Sequence, residues 1–346
     1  MSQPKLLRVL SGEVVSPAPV WIMRQAGRYL PAYRKTRARA GSFLDLCFTP
    51  DLATEVTLQP IDRFGFDAAI LFSDILVIPW ALGCEVRFVE GEGPVIEPIR
   101  DAYDVRKLQL EGMIERLSPV MTAVRQIKAA LPVNTPLIGF AGAPWTLATY
   151  MFGGKGSTDQ ASTKLAAIGD PTLFRSVIDL LEAAAVELLL AQIEAGADIV
   201  KIFDSWAGAA TAAMQREFVL DPIKRIVARI KQARPKTPII FFPRGVGANL
   251  KTMDHAIAPD GLALDSSIDP LWAAQTLTGA KALQGNLDPV FMRGPISALL
   301  MEAQQLRLAM RGRPHILNLG HGVTPQSKIE NIEALLGFWR EMNEKG

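Results

Sequence analysis

The sequence predicts an α/β fold, a single-domain (β/α)8 barrel over residues 1–346 with an extension between the second and third strands. Three observations predict it. Eight short apolar runs alternate with longer stretches whose apolar residues recur at helical spacing, the pattern of a parallel sheet built from βα units. The stretches between the runs repeatedly begin with Thr or Asp followed by Pro, an N-cap oxygen and a residue whose missing N–H costs nothing at the first helical position. A typical barrel takes ~250 residues, so a chain of 346 leaves room for the extension.

In chain order, the strands are expected at residues 19–23, 67–72, 136–141, 198–203, 238–243, 262–265, 281–285 and 315–319. Helix starts are expected at Thr49-Pro50, Asp170-Pro171, Asp221-Pro222, Asp269-Pro270, Asp288-Pro289 and Thr324-Pro325. The clearest helix follows Asp170, with Phe174, Val177, Ile178, Leu181, Ala185, Leu188 and Leu189 on one face and Gly196 ending it. Residues 84–98 read as a hairpin around a Gly-rich turn and supply the extension. A doubly wound open sheet shares this local pattern and is the alternative.

Composition narrows the functional classes. With 49% hydrophobic residues and 37 Lys+Arg against 35 Asp+Glu, the chain is neither disordered nor a globally basic nucleic-acid binder. Cys47 and Cys84 are too few for a disulfide framework and lack metal-ligand spacing, so no metal and a reducing, cytoplasmic setting are expected. Residues 1–10 carry no signal-like apolar core, and charge interrupts every apolar run before ~18 residues, so no membrane association is expected either.

Reactive groups in barrels of this class sit at the carboxyl ends of strands. The first strand end carries Arg24 and Arg28, planar donors suited to carboxylates or phosphates, with Gln25 and Ala26 between them and Gly27 permitting close backbone approach. Asp74 follows an apolar run and needs a partner, either as a turn or N-cap carboxylate or as a group that accepts ligand N–H bonds or stabilises a cation. Gly320 and Gly322 flank His321 and leave its imidazole accessible. Tyr150 and Ser205 are weak signals singly and gain value from the shared face. Lys201, inside a strand, is a competitor: turned inward it could form a Schiff base, turned outward it snorkels between helices. The Gly245-Val-Gly247 segment lacks a third glycine and a downstream acid, which argues against dinucleotide binding, and neither a P-loop nor a His-Glu-x-x-His motif is present.

Beyond these features, the segment Pro19-Val-Trp-Ile-Met-Arg-Gln-Ala-Gly-Arg-Tyr-Leu-Pro-Ala-Tyr-Arg34 resembles the N-terminal signature of the uroporphyrinogen decarboxylase family. Gly139-Phe-Ala-Gly-Ala-Pro-Trp-Thr146, Phe72-Ser-Asp-Ile-Leu76, Phe203-Asp-Ser-Trp-Ala-Gly208, Gly285-Asn-Leu-Asp-Pro289 and Asn318-Leu-Gly-His-Gly322 are similar to its further blocks. The resemblance implies a homodimeric carboxy-lyase, free of cofactor and metal, that removes the four acetate carboxyls of uroporphyrinogen as carbon dioxide to give coproporphyrinogen. By position it implies that Arg24, Gln25 and Arg28 meet substrate carboxylates, that Ala26 and Gly27 between them also bind substrate, that Asp74 faces the pyrrole N–H groups, and that Tyr150, Ser205 and His321 line the cleft. The rival readings are a Schiff-base aldolase using Lys201, a corrinoid-linked methyltransferase, which needs zinc ligands, and a tetrapyrrole carrier without chemistry.

Overall fold

The apolar runs pair edge to edge as the alternation requires. The computed structural model describes residues 3–89, 93–156 and 159–341, with nine strands among them: β1 Ala69–Ile70, β2 Val86–Val89, β3 Gly93–Ile96, β4 Leu137–Gly142, β5 Ile199–Asp204, β6 Ile239–Pro243, β7 Gly261–Ala263, β8 Ala282–Gln284 and β9 His315–Ile316. Seven form one parallel sheet in the order β1-β4-β5-β6-β7-β8-β9. Every residue of β4, β5 and β6 is buried, as expected of strands covered on both faces.

The sheet corrects the expected count of eight. The segment over 19–23 forms only one parallel bridge, Val20 with Leu317. There the Trp21 N–H donates to Leu317 O at 3.3 Å and the Leu317 N–H to Pro19 O at 2.9 Å, while on the other side the Asp67 N–H donates to Val20 O at 2.8 Å. The ladder stops because the chain turns at once: the Gln25 N–H closes onto Ile22 O at 2.9 Å, and the Met23 N–H goes to the Asn318 side chain at 3.0 Å. What the ladders define is a seven-stranded parallel sheet curled into a half-barrel. The curl is read from its inner face, where the Lys201 amine of β5 lies 4.8 Å from the ring of Trp21, beside β9 at the far end of the strand order.

Strands β2 and β3 form a separate antiparallel pair, Val86 opposite Ile96, within the region expected to be a hairpin; the expected turn at residues 90–92 lies outside the described residues.

Helix starts followed local chemistry where a free N-terminus existed. The 25-residue helix Pro171–Ala195 is capped by Asp170, whose carboxylate accepts the Leu173 N–H at 2.9 Å, and it buries all seven of the apolar residues named above. Asp269 caps Pro270–Thr276 in the same way, accepting the Trp272 N–H at 2.6 Å. Thr49-Pro50 opens the helix Pro50–Phe64 as expected, although Thr49 makes no side-chain cap bond. Three sites depart from expectation. Asp221-Pro222 starts no helix, because a π-helical stretch, Gln215–Leu220, already runs into Asp221–Ala233. Asp288-Pro289 opens only the 3-10 turn Pro289–Met292, and Thr324-Pro325 a turn whose Thr324 N–H goes to the Ser327 hydroxyl at 3.2 Å; the last helix, Ile329–Glu341, starts later.

Parallel strands place their carboxyl ends along one edge, so the loops that follow them share one face. Glycine lets two of these loops lock together. A Cβ on Gly208, after β5, would stand 2.4 Å from the Gly245 carbonyl oxygen after β6. No helix of the described residues is long and apolar enough to cross a membrane.

Candidate active site

The loop after the first segment bends where Arg24 adopts φ +63°, a left-handed conformation unusual for a side chain with a Cβ. Gln25 holds that bend from inside. It is 1% exposed, its Nε2 donates to Ala68 O at 3.2 Å, its Oε1 accepts the Ile22 N–H at 3.4 Å, and its carbonyl accepts the Tyr29 hydroxyl at 2.6 Å. The Arg24 side chain then passes over Gly322 so closely that a Cβ there would meet Arg24 Cδ at 2.3 Å and Cγ at 2.7 Å. Gly322 and Arg24 are thus matched.

Asp74 leaves β1 through an Asx turn, its Oδ1 accepting the Leu76 N–H at 2.8 Å. This realises the turn role open to it in sequence, and it engages only one carboxylate oxygen. Desolvation pushes the carboxyl above the ordinary range, against the Leu76 N–H and the charge of Arg24, which pull it down. Tyr150 stands on the helix Pro144–Gly153, edge-on to the Trp206 ring with centroids 6.4 Å apart. Burial raises its phenol; Trp206 lowers it, and the charges of Asp74 and Arg24 act on it with opposite signs.

A cleft of about 750 Å³ opens beside this group, with Ser205, Arg244, Asp265, Arg293 and His321 among its lining. His321 has a buried Nδ1 without a hydrogen-bond partner, and its pKa is pushed down to about 3 by burial first and then by the charges of Arg24 and Arg244. At neutral pH the imidazole is therefore uncharged, with one nitrogen to donate and one to accept. Gly320 lets this loop touch its neighbour, since a Cβ there would lie 2.3 Å from the Ser266 backbone nitrogen.

The structure gathers some of the sequence-predicted residues and separates others. Arg24 is the hub: its charge acts on Asp74, Tyr150 and His321. Ser205 and His321 line the cleft, whereas Arg24, Asp74 and Tyr150 reach it through His321 and Trp206. Arg28 is exposed on the same loop, where its charge acts on Tyr33, and no contact ties it to Asp74. Ala26 and Gly27 are half-buried. Gln25 departs from the expected carboxylate contact, because both ends of its amide are committed to backbone.

Two charged-type side chains of β5, Asp204 and Lys201, are fully buried. Asp204, which sequence reading passed over, is 0% exposed; its Oδ1 accepts the Thr146 hydroxyl at 2.5 Å, its Oδ2 has no partner, and desolvation raises its pKa to about 7. The signal available was an acid at the end of a strand that is otherwise apolar except for Lys201. Lys201 points inward, not outward: fully buried, its Nζ has no hydrogen-bond partner and lies 4.8 Å from the ring centres of Trp21 and Phe203 and 5.4 Å from that of Phe242. Burial drives its pKa well down. Aromatic faces compensate poorly for lost hydrogen bonds, so Lys201→Met is expected to raise stability by roughly 1–3 kcal/mol, measured by urea denaturation, with carbon dioxide release unchanged. Loss of turnover in a stable Lys201→Met protein would place Lys201 in the chemistry. Among the described residues no three His, Cys, Asp or Glu side chains are grouped to hold a metal ion.

A parallel sheet with helices around it, bearing guanidinium groups, a desolvated carboxylate and a neutral imidazole along one loop face, is the frame of an α/β enzyme for an acidic ligand. Comparison with known proteins makes the class specific. The family model described as Uroporphyrinogen decarboxylase (URO-D) matches residues 1–342. The chain is 50% identical to the uroporphyrinogen decarboxylase of Jannaschia sp. (strain CCS1), over 96% of this chain and 97% of that one. It is 47% identical to that of Rhodospirillum rubrum, over 98% and 97%. Among solved structures a methyltransferase from Methanosarcina mazei superposes with a TM-score of 0.81 at 21% identity, covering 97% of each chain, a likeness of fold alone. The chain belongs to the uroporphyrinogen decarboxylase family.

Proposed function

We propose that this chain, as a single barrel domain closed by the 19–23 segment between β1 and β9 and acting as a cytoplasmic homodimer, decarboxylates the four acetate arms of uroporphyrinogen III to give coproporphyrinogen III. The observation that carries the reading is the convergence of Arg24, Asp74, Tyr150 and His321 at one edge of a sheet in a chain of this family. The three backbone bonds flanking Val20 support closure of the barrel.

The chemistry follows from the substrate. Loss of carbon dioxide from an arm leaves an electron pair that needs a sink, and a pyrrole protonated on a ring carbon provides one. The bond between the methylene and the carboxyl breaks, its electron pair enters the ring, and carbon dioxide departs. A proton is then added at the exocyclic carbon to make the methyl, and the ring carbon returns its own. Each arm thus consumes one proton net and releases one carbon dioxide. Asp74 stabilises the cationic ring in this reading, and desolvation, which destabilises its lone charge, strengthens its pairing with that cation. Its free oxygen accepts from the pyrrole N–H groups. Arg24 and Arg28 grip carboxylates by bidentate charge-assisted bonds. Tyr150, Ser205 and His321 orient the ring and its arms, the imidazole doing so without adding charge.

The test is incubation of purified, metal-stripped protein with reduced uroporphyrinogen III and mass analysis of the products. Successive losses of carbon dioxide, up to four, are expected; binding without mass change would leave the carrier reading in its place.

A further inference from the structure

Arg24 and Arg28 lie on one loop, and a macrocycle with eight carboxylates presents acid on every side. The cleft continues away from them, past His321, toward the loops after β6 and β8. Its lining there includes Arg244 and Arg293, and among the described residues neither guanidinium makes an ion pair or a side-chain hydrogen bond. Of the acids beside them, Asp265 is engaged at both oxygens and Asp288 at one. Asp265 accepts the Gly245 N–H on Oδ2 at 2.7 Å and the Ser267 N–H and hydroxyl on Oδ1 at 2.9 Å and 2.5 Å, and Asp288 accepts the Val290 N–H on Oδ1 at 2.8 Å.

These bonds also set where Arg244 stands. Its N–H donates to Asp204 O at 3.1 Å, its carbonyl accepts the Gly208 N–H at 2.9 Å, and the next residue, Gly245, is held at φ +75° by Asp265. The backbone under Arg244 is therefore fastened on both sides while its guanidinium is left uncommitted at the cleft. His321 marks the middle of the arrangement, because the charges of Arg24 on one loop and Arg244 on another both act on its ring.

We propose that Arg244 and Arg293 form a second carboxylate-binding wall, taking the acidic arms on the half of the macrocycle turned away from Arg24 and Arg28. This rests on the decarboxylase reading for the identity of the ligand and extends it to residues that carry specificity for a polycarboxylate. A ring lying over His321 then has its arms held from both sides, and an arm gripped at one wall fixes which arm reaches Asp74.

The experiment compares the wild-type protein with Arg244→Gln, Arg293→Gln, their double variant and Arg311→Gln, an exposed arginine outside the cleft lining that controls for loss of charge alone. KM for uroporphyrinogen is measured across salt concentrations, and affinity for the oxidised octacarboxylate uroporphyrin by fluorescence titration. Charge-assisted contacts of this kind predict a rise of roughly 10- to 100-fold in KM and in the dissociation constant for the double variant, with a shallower salt dependence and partial rescue by Arg244→Lys. If the double variant matches Arg311→Gln in both measurements, the second wall does not exist. Both arginines are solvent-accessible, and if Arg244→Gln disturbs folding, Arg293→Gln alone decides by the same criteria. Should the wild-type protein release no carbon dioxide, the decarboxylase reading fails, while the uroporphyrin titration still reports on the wall.

Discussion

Asp74→Asn is expected to lower kcat for uroporphyrinogen decarboxylation by about 10²- to 10³-fold or more while KM changes only a few-fold, because it removes a charge that matters most when the ring becomes cationic. The substitution is close to isosteric. The asparagine side-chain oxygen can still accept the Leu76 N–H that Asp74 accepts at 2.8 Å, so the turn and the following helix Val77–Ala81 are expected to survive. Thermal unfolding and steady-state kinetics on the same preparation check both halves. A variant that folds normally and turns over at near the parental rate removes Asp74 from the chemistry; one that loses affinity but not kcat reassigns it to ground-state binding.

How far the sequence reached depends on whether a feature was local. The cap at Asp170, the buried face from Phe174 to Leu189 and the stop at Gly196 are decided within a few residues, and they stand as expected. Seven strand positions were legible for the same reason, since β4 and β6 are uninterrupted apolar runs and β5 is apolar apart from Lys201 and its terminal Asp204. The 19–23 segment looked equivalent and is not, because its neighbours come from both ends of the chain, Asp67 and Leu317, and its own backbone turns away to build the Arg24 loop. Asp221-Pro222 misled because a capping pattern is meaningful only where a helix has not already begun.

The candidate site divides in the same way. The block resemblance named Arg24, Asp74, Tyr150 and His321, yet nothing local says that Gln25 between the arginines turns inward to Ala68, or that His321 is kept neutral by burial and two guanidinium charges. Arg244 carried only a weak sign, an arginine at a strand's carboxyl end before a glycine, and Arg293 none. Both acquire meaning from a cleft assembled from several loops.

Gly322→Ala is expected to reduce kcat/KM by roughly 10- to 100-fold without replacing any side chain proposed to contact substrate, because the new methyl would occupy the space of Arg24. The clash at 2.3 Å and 2.7 Å falls on Arg24 Cδ and Cγ, in the middle of the side chain, so the guanidinium cannot stay in place by a small adjustment of its tip. Backbone relief is limited on the other side too. Arg24 is already at φ +63°, and Gln25 beneath it is fastened to Ala68 and Ile22. The displaced charge would also leave His321 and Asp74, lowering the depression of the imidazole pKa and removing one of the two influences that oppose desolvation at the carboxyl. A double-mutant cycle separates this from a general loop defect. In an Arg24→Ala background, where Cγ and Cδ are gone, Gly322→Ala should add little further loss, so the two effects combine well below their sum. Full additivity would mean that the glycine serves the fold of its own loop and that the passage of Arg24 over it is incidental.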